Sequence, residues 1–443
     1  FALVSWARRC NIGAAGISWF PLIPVDWQTG RIKDILSVLT DYTANGSFGD
    51  LAKNVTYLDY EDYARLVRLT DLRESLKNMG VYVDEDGYNY LSKSSLFGGE
   101  ILVANVGAYA GLFCEMPTVD YPATLAPNMF LLRTNDVMLQ HYLLYVGLSS
   151  FVWEQLCQKA ISSAQPKLNK TDVKTTFIPI PPISEQKLIA DYLDSKCAEF
   201  NSTLSDIQSQ IEALEEYKRS VITEVVTKGL DPDVEMRDSG IAWVGDIPAH
   251  WITHPLYFYF GERKNKNALG LETNLLSLSY GKIIRKDINS NGGLLPESFN
   301  TYNIIEKDDI IIRPTDLQND KRSLRTGIAR EHGIITSAYI AMKAIKTVNP
   351  EYFHYLLHAY DVMKVFYNMG NGVRQGLNFS EFSRLMVFEP AIEEQNAIVS
   401  YLKEKCDEID LAIAEKKQQI ETIEEYKKSL IFEYVTGKKE VQA

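Results

Sequence analysis

The chain is poor in the residues that usually announce chemistry. It has five cysteines and six histidines in 443 residues. Cys10, Cys114, Cys157, Cys197 and Cys406 form no Cys-x-x-Cys pair. That excludes a disulfide framework and a thiolate zinc site, and points to a reducing compartment such as the cytoplasm. No run approaches the roughly 18 apolar residues that a membrane helix needs. No glycine-rich phosphate loop is present. Gly437-Lys438 lacks both the earlier glycine and the following Ser/Thr. Asn349-Pro350-Glu351-Tyr352 approaches the Asn-Pro-Pro-Tyr motif of adenine methyltransferases but lacks its second proline. It reads as a turn before a helix that starts near Tyr352. His354 and His358, like His250 and His254, stand four apart, yet no third metal ligand accompanies either pair. No Ser/His/Asp or Cys/His set is found. The sequence reads as non-catalytic, without a cofactor or metal of its own.

What the chain has is an internal repeat, and a repeat constrains architecture more than any composition does. Residues 185–227 return without a gap at 394–436, identical at 20 of 43 positions. Glu185-Gln186, Tyr192-Leu193, Lys196-Cys197 and Glu215-Glu216-Tyr217-Lys218 return as Glu394-Gln395, Tyr401-Leu402, Lys405-Cys406 and Glu424-Glu425-Tyr426-Lys427. A second motif, Gly16-Ile17-Ser18-Trp19 with Ile23-Pro24-Val25-Asp26-Trp27, returns as Gly240-Ile241-Ala242-Trp243 with Ile247-Pro248-Ala249-His250-Trp251. Weaker echoes join Glu100–Val103 to Asp309–Ile312 and Leu168-Asn169 to Leu377-Asn378. The expected domains are a first variable region at 16–180, a helical segment at 181–239, a second variable region at 240–388 and a second helical segment at 389–443. Residues 1–15 have no counterpart in the second half, and are expected to be an appended or poorly ordered arm.

The repeated segments carry apolar residues in a 4-3-4-3 rhythm. The first stripe is Leu193, Cys197, Phe200, Leu204, Ile207, Ile211, Leu214, Val221 and Val225. The second is Leu402, Cys406, Ile409, Ile413, Ile420, Ile423, Leu430 and Tyr434. Lys218, Lys416 and Lys427 interrupt them. A 3.5-residue spacing is a coiled-coil seam. Each helix would run about 43 residues, roughly 64 Å. A narrow-striped helix of that length needs a partner. The nearest is its own copy, and the intervening globular region makes antiparallel packing natural. This predicts a rod with two heads and a pseudo-twofold axis. Cys197 and Cys406 would then lie too far apart to bond. The first helix should end near Thr227-Lys228-Gly229.

The net charge is −12 and the pI about 5.2. The acid sits in the repeats: 6 basic against 13 acidic residues over 181–240, and 8 against 13 over 389–443. The variable regions run from 15 against 18 over 1–180 to 17 against 14 over 241–388. That argues against general nucleic-acid binding but allows local basic surfaces on an acidic scaffold. Ile101-Leu102-Val103 and Ile310-Ile311-Ile312 read as buried strands, and Val137–Cys157 and Tyr352–Tyr367 as helical, so each variable region is an α+β domain of about 150 residues. Cationic and amide side chains there can hold phosphates and reach base edges. The candidates in the first are Lys53, Arg65, Arg68, Arg73, Lys93, Asn105, Lys167 and Lys170. In the second they are Arg263, Lys264, Lys266, Lys282, Arg285, Lys286, Arg313, Asn319, Lys321, Arg322, Arg325, Arg374 and Gln375. Each could equally be a solvated loop residue.

Gly-Ile-x-Trp-x-x-x-Ile-Pro-x-x-Trp at 16–27 and 240–251 resembles the specificity subunit of type I restriction–modification systems. So do Pro181-Pro182-Ile183-Ser184-Glu185-Gln186 and Pro390-Ala391-Ile392-Glu393-Glu394-Gln395. The resemblance covers the chain beyond residue 15. It implies two α/β target-recognition domains separated by a long antiparallel two-helix coiled coil. Each domain would read half of a split double-stranded DNA site, and the helices would set the gap. They would also dock two methyltransferase subunits, which bring S-adenosylmethionine, and two restriction subunits with ATP and Mg where cleavage accompanies methylation. A two-headed scaffold for protein ligands is the alternative, and a fused methyltransferase a third, disfavoured by the missing cofactor loop.

Overall fold

The computed structural model describes residues 12–14, 22–160, 165–288, 298–315, 324–369 and 376–441; for 12–14, Tyr367 and Asn368 only the backbone is described. Two compact units are distinguished. One comprises residues 1–206 with 418–443, the other residues 207–417. Neither coincides with a sequence repeat, because each takes a piece of both long helices.

Those helices are Ile183–Lys228 and Ile392–Val435. The first starts directly after Pro181-Pro182, where a proline's missing N–H costs nothing. It stops at Gly229, whose φ of +78° only glycine adopts freely. The second stops at Gly437, with φ +68°. In the first unit the two helices run antiparallel: Tyr192 stacks on Tyr434 with ring centroids 4.6 Å apart, and Phe200 on Tyr426 at 5.5 Å. In the second unit Lys218 Nζ reaches Asp410 Oδ1 at 2.6 Å, and Gly229 lies against Glu394, which again requires antiparallel runs.

Every expected seam residue is buried or half-buried. Leu193, Ile207, Ile211, Val221, Leu402, Ile409, Ile413 and Leu430 are buried, and Phe200, Leu204, Leu214, Ile420 and Ile423 are half-buried. The stripe widens toward the helix ends. Ile189, Ala190, Ile431 and Val435 join the core of the first unit, and Ile222, Val226, Ile398 and Val399 that of the second. There the helices face a globular region as well as each other, so a two-residue stripe no longer suffices. The lysines that interrupt the stripe reach sideways. Lys218 pairs with Asp410, and Lys427 donates to Asn201 at 2.8 Å.

Each globular region has a four-stranded antiparallel sheet of the same order. In the first unit it runs Leu36–Asp41, Met129–Thr134, Ile101–Ala104, Phe113–Glu115; in the second, Phe260–Glu262, Ile340–Ala344, Ile310–Ile312, Thr326–Ile328. The all-apolar strands have both faces covered. Ile101 and Val103 face the core that includes the long helices, while Leu102 faces a second core. Ile310 and Ile312 divide from Ile311 in the same way. Alternate side chains leave opposite faces of a strand, so a run with no polar side must be sandwiched.

The outer layers differ. The first unit adds a sheet of Tyr82–Val83, Ala64–Val67, Ala123–Leu125 and Ser95–Leu96, one pairing of which is parallel. The second has a hairpin, Leu276–Ser279 with Lys282–Arg285, and a pair, Asn303–Ile305 with Gly333–Ile335. The helical stretch expected at 137–157 is two helices, Gln140–Leu148 and Ser150–Ala160, broken at Ser149. Asn349-Pro350 opens the helix Pro350–Val362, with Asn349 Oδ1 accepting from the Glu351 and Tyr352 amides.

One expectation is corrected. Within the expected arm, residues 12–14 do have a counterpart. Ile12–Ala14 pairs antiparallel with Leu22–Pro24, and Met236–Asp238 pairs identically with Asp246–Pro248. Ile-Gly-Ala and Met-Arg-Asp share no residue, so the correspondence lives in backbone pairing alone. The first half of the lead motif, Gly16–Trp19, lies outside the described residues.

Candidate nucleic-acid interface

The globular regions are held on the helices by three matched polar contacts. Trp27 Nε1 donates to Glu185 Oε2 at 3.1 Å, and Trp251 Nε1 to Glu394 Oε1 at 3.1 Å. Gln186 Oε1 accepts from the Leu139 amide at 2.7 Å while its Nε2 donates to the Pro181 and Val137 carbonyls. Gln395 accepts from the Asn349 amide at 2.8 Å and donates to the Pro390 carbonyl. Buried Tyr142 donates to the Val435 carbonyl at 3.4 Å, and buried Tyr352 to that of Val226 at 3.3 Å. The repeated Glu-Gln and Trp are therefore fastening residues. Both members of each Trp–Glu pair repeat in the sequence, which is the signal that could have joined them.

On this frame the candidate contact residues divide by environment. Arg65 is 4% exposed and donates inward to the Leu76 and Asn78 carbonyls and Asn78 Oδ1. Arg325 is fully buried, with its Nη1 on the Thr315 carbonyl. Neither guanidinium faces outward. Arg68 is tied to Asp71 at 2.8 Å, Arg263 to Asp309 at 2.9 Å, Arg285 to Glu331 at 2.8 Å, Lys264 to Glu262 at 2.8 Å and Lys170 to Asp41 at 3.0 Å. Lys93 and Lys266 donate to the Ala44 and Thr301 carbonyls. Arg313 is half-buried beside Arg325, whose carbonyl accepts its amide. Asn319, Lys321, Arg322, Arg374 and Gln375 lie outside the described residues.

Two small groups remain together and outward. In the first unit, Val106 bridges to Lys167, and the Asn105 carbonyl accepts the Leu168 amide. Arg73 lies over the Tyr109 ring of the same loop at 4.4 Å. Lys53, also exposed, sits apart in the last turn of Phe48–Asn54. In the second unit, Tyr280-Gly281 turns the hairpin with φ of +47° and +78°. Two positive φ values are what a two-residue type I′ turn demands. That turn leaves Tyr280 81% exposed, with Lys282, Arg285 and Lys286 exposed beside it. Tyr280 was not among the predicted contacts, although its place beside Gly281 and Lys282 was visible.

Residues 24–213 match the family model described as type I restriction modification DNA specificity domain. That stretch of the chain is similar to the family's domain. The whole chain is 25% identical over 429 residues to a putative type I restriction enzyme MjaX specificity subunit of Methanocaldococcus jannaschii, covering 94% of each chain. It is 23% identical to the MjaVIII specificity subunit of the same organism, over 94% of this chain and 93% of that one. A solved chain described as "Structural basis underlying complex assembly and conformational transition of the type I R-M system" shares its fold. The TM-score is 0.66 at 14% identity, over 94% of this chain and 99% of that one.

His354 and His358 are both held in the interior of the second unit. Burial, helped by neighbouring His358 and Arg330, lowers the His354 pKa to about 3; burial with Lys218 and Arg219 lowers that of His358 to about 4. Both are neutral near pH 7. Their ring centroids are 6.5 Å apart, and no group of three or more metal-binding side chains occurs among the described residues. Nor is any helix among them long and apolar enough to cross a membrane. Cys114, Cys157, Cys197 and Cys406 are free thiols.

Proposed function

We propose that this chain is a specificity subunit that reads a bipartite, asymmetric double-stranded DNA site in the cytoplasm, one half through each variable region. The observation that carries this is the contrast between frame and face. The Trp–Glu, Gln–backbone and Tyr–carbonyl contacts recur in both units, while the outer layers differ in topology. Two unlike readers on one frame suit two unlike half-sites. The outward groups at Arg73, Tyr109 and Lys167, and at Tyr280, Lys282 and Lys286, are the proposed contacts; Arg65 and Arg325 are not.

The paired helices set the gap and dock two methyltransferase subunits, with restriction subunits where cleavage occurs. Catalysis, S-adenosylmethionine, ATP and Mg belong to those partners. The acidity of the helices supports this division, since a helix surface of that sign suits protein better than phosphate. The test maps methylated adenines with and without this chain, then repeats it after deleting seven residues from each long helix. Loss of a split motif, and a shorter gap in the deletion variant, are expected. An unchanged gap overturns the ruler, and no footprint with partners present favours a protein-binding scaffold.

A further inference from the structure

Each unit fastens its globular region to the start of its long helix by a second device, and the two devices have opposite charge. In the first unit His141, second residue of Gln140–Leu148, lies between two carboxylates. Its Nδ1 is 2.7 Å from Glu115 Oε2 and its Nε2 is 2.8 Å from Asp194 Oδ1. In the second unit Glu351, second residue of Pro350–Val362, lies between two cations. Arg330 bonds one of its oxygens, and Lys403 Nζ is 3.4 Å from the other. The positions correspond. Leu139 and Asn349, two residues earlier, give their amides to the equivalent Gln186 and Gln395. Asp194 and Lys403 stand 209 residues apart, the spacing of the repeat. The outer partners lie at the end of the same edge strand of the four-stranded sheet: Glu115 is its last residue in the first unit, and Arg330 stands two residues past its last residue, Ile328, in the second.

We infer that this charge reversal is a docking code: Asp194 accepts a variable region that presents a cation at its first helical turn, and Lys403 one that presents an anion. An exchanged region would set Glu351 against Asp194, or His141 against Lys403. Like charges held at this range repel, whereas each native centre has an opposite charge on both sides. Half of the code is half-buried: Glu351 is 14% exposed at its side chain, Glu115 26%. Screening by salt is weaker there than on an open surface. The Trp–Glu and Gln contacts are common to both units and do not discriminate, while His250 adds a bond to Glu394 in the second alone. The code therefore selects which variable region can be joined productively to which helix.

The test uses the full chain. In an E115Q background, which removes the carboxylate that a residue-141 glutamate would meet, D194K and H141E are made singly and together. Each single change should lower the unfolding midpoint of the first unit by about 2–4 °C per kcal/mol lost. H141E/D194K should recover the part of that loss due to the charge clash, while the Tyr145 hydroxyl's bond to Asp194 stays lost. Strictly additive losses in the double variant would overturn the inference. A second arm replaces residues 28–180 with 252–389 and compares Asp194 with D194K in that exchanged chain. Protease resistance restored by D194K supports the code; equal behaviour of the two refutes it. Neither readout requires DNA, so failure of the code and failure of the DNA reading are separable.

Discussion

The Trp27 indole N–H donates to Glu185 Oε2 at 3.1 Å, joining residues 158 apart in the chain. Gly437 closes the same junction: a Cβ there would overlap Pro24 and stand 3.2 Å from Trp27 Cη2. In the second unit a Cβ on Gly229 would stand 3.2 Å from Glu394 Oε1 and 3.4 Å from Trp251 Cζ2. Each tryptophan thus fills the corner between the start of one long helix and the end of the other. W27F removes the donor together with part of the buried ring, so the loss of the bond is a lower bound on its cost. That bond should account for roughly 1–3 kcal/mol, the usual loss when a part-buried charged acceptor gives up a partner. Urea unfolding of W27F and W251F measures it, and a change within error for both would show the bonds to be incidental.

Gln186 and Gln395 make a sharper case, because both are buried and their partners are main-chain groups. Q186A leaves the Leu139 amide and the Pro181 carbonyl without their bonds, at about 1–3 kcal/mol each. Q186E should do no better, since it turns the donating end of the side chain into an acceptor facing two carbonyls. Amide exchange at Leu139 should rise in both variants and stay slow in a surface control such as K187A.

The His141 centre makes the first unit sensitive to pH. Burial alone would lower its pKa, but hydrogen bonds and charge from Asp194 and Glu115 outweigh this and raise it. A raised folded value means the contribution is complete below the unfolded pKa near 6.5 and is lost as pH rises through the folded value. Glu351 behaves oppositely. Burial would raise it, but Arg330 and Lys403 hold it below the ordinary carboxylate range. Its contribution is present above the unfolded pKa and is lost only as pH falls through the depressed value. As pH rises from 6.5 through the raised folded value, the first unit should therefore weaken while the Glu351 centre is unaffected. The histidine resonances of wild type and D194N should separate the cases, the D194N value lying lower.

For DNA binding, K282A and K286A should weaken association about equally across sequences. If each lysine neutralises one phosphate, the dependence of log K on log salt should flatten by about 0.9 for each. R325A should instead lower stability, because its guanidinium bonds the Thr315 carbonyl inside the domain. A salt slope unchanged in K282A/K286A would remove the hairpin from the interface.

Much of this was legible beforehand. The ends of the first helix, the buried strands at 101–103 and 310–312, and the helix capped by Asn349 follow from local spacing and turn chemistry. The echo of Leu168-Asn169 in Leu377-Asn378 has a local cause too. Asn169 and Asn378 both cap short helices, with Asp172 and Glu381 returning the bond. Less legible was the fate of the cations. Arg65 and Arg73 look alike in sequence, yet one is spent on interior carbonyls and the other lies over Tyr109. The hairpin Ile12–Ala14 with Leu22–Pro24 was hidden because main-chain pairing needs no shared side chains.

By itself the sequence determined the repeat, its 3.5-residue rhythm and the residues that recur as Trp, Glu-Gln and Gly. These are properties of neighbours within a few turns, and helical periodicity is set by backbone geometry that every segment shares. Only the tertiary structure decided that Trp27 meets Gly437, that Lys218 crosses to Asp410, and that His141 and Glu351 occupy one position with opposite sign. Such contacts join residues from about twenty to about four hundred positions apart, and their energies exist only once the path of the chain has brought the partners within a few ångströms.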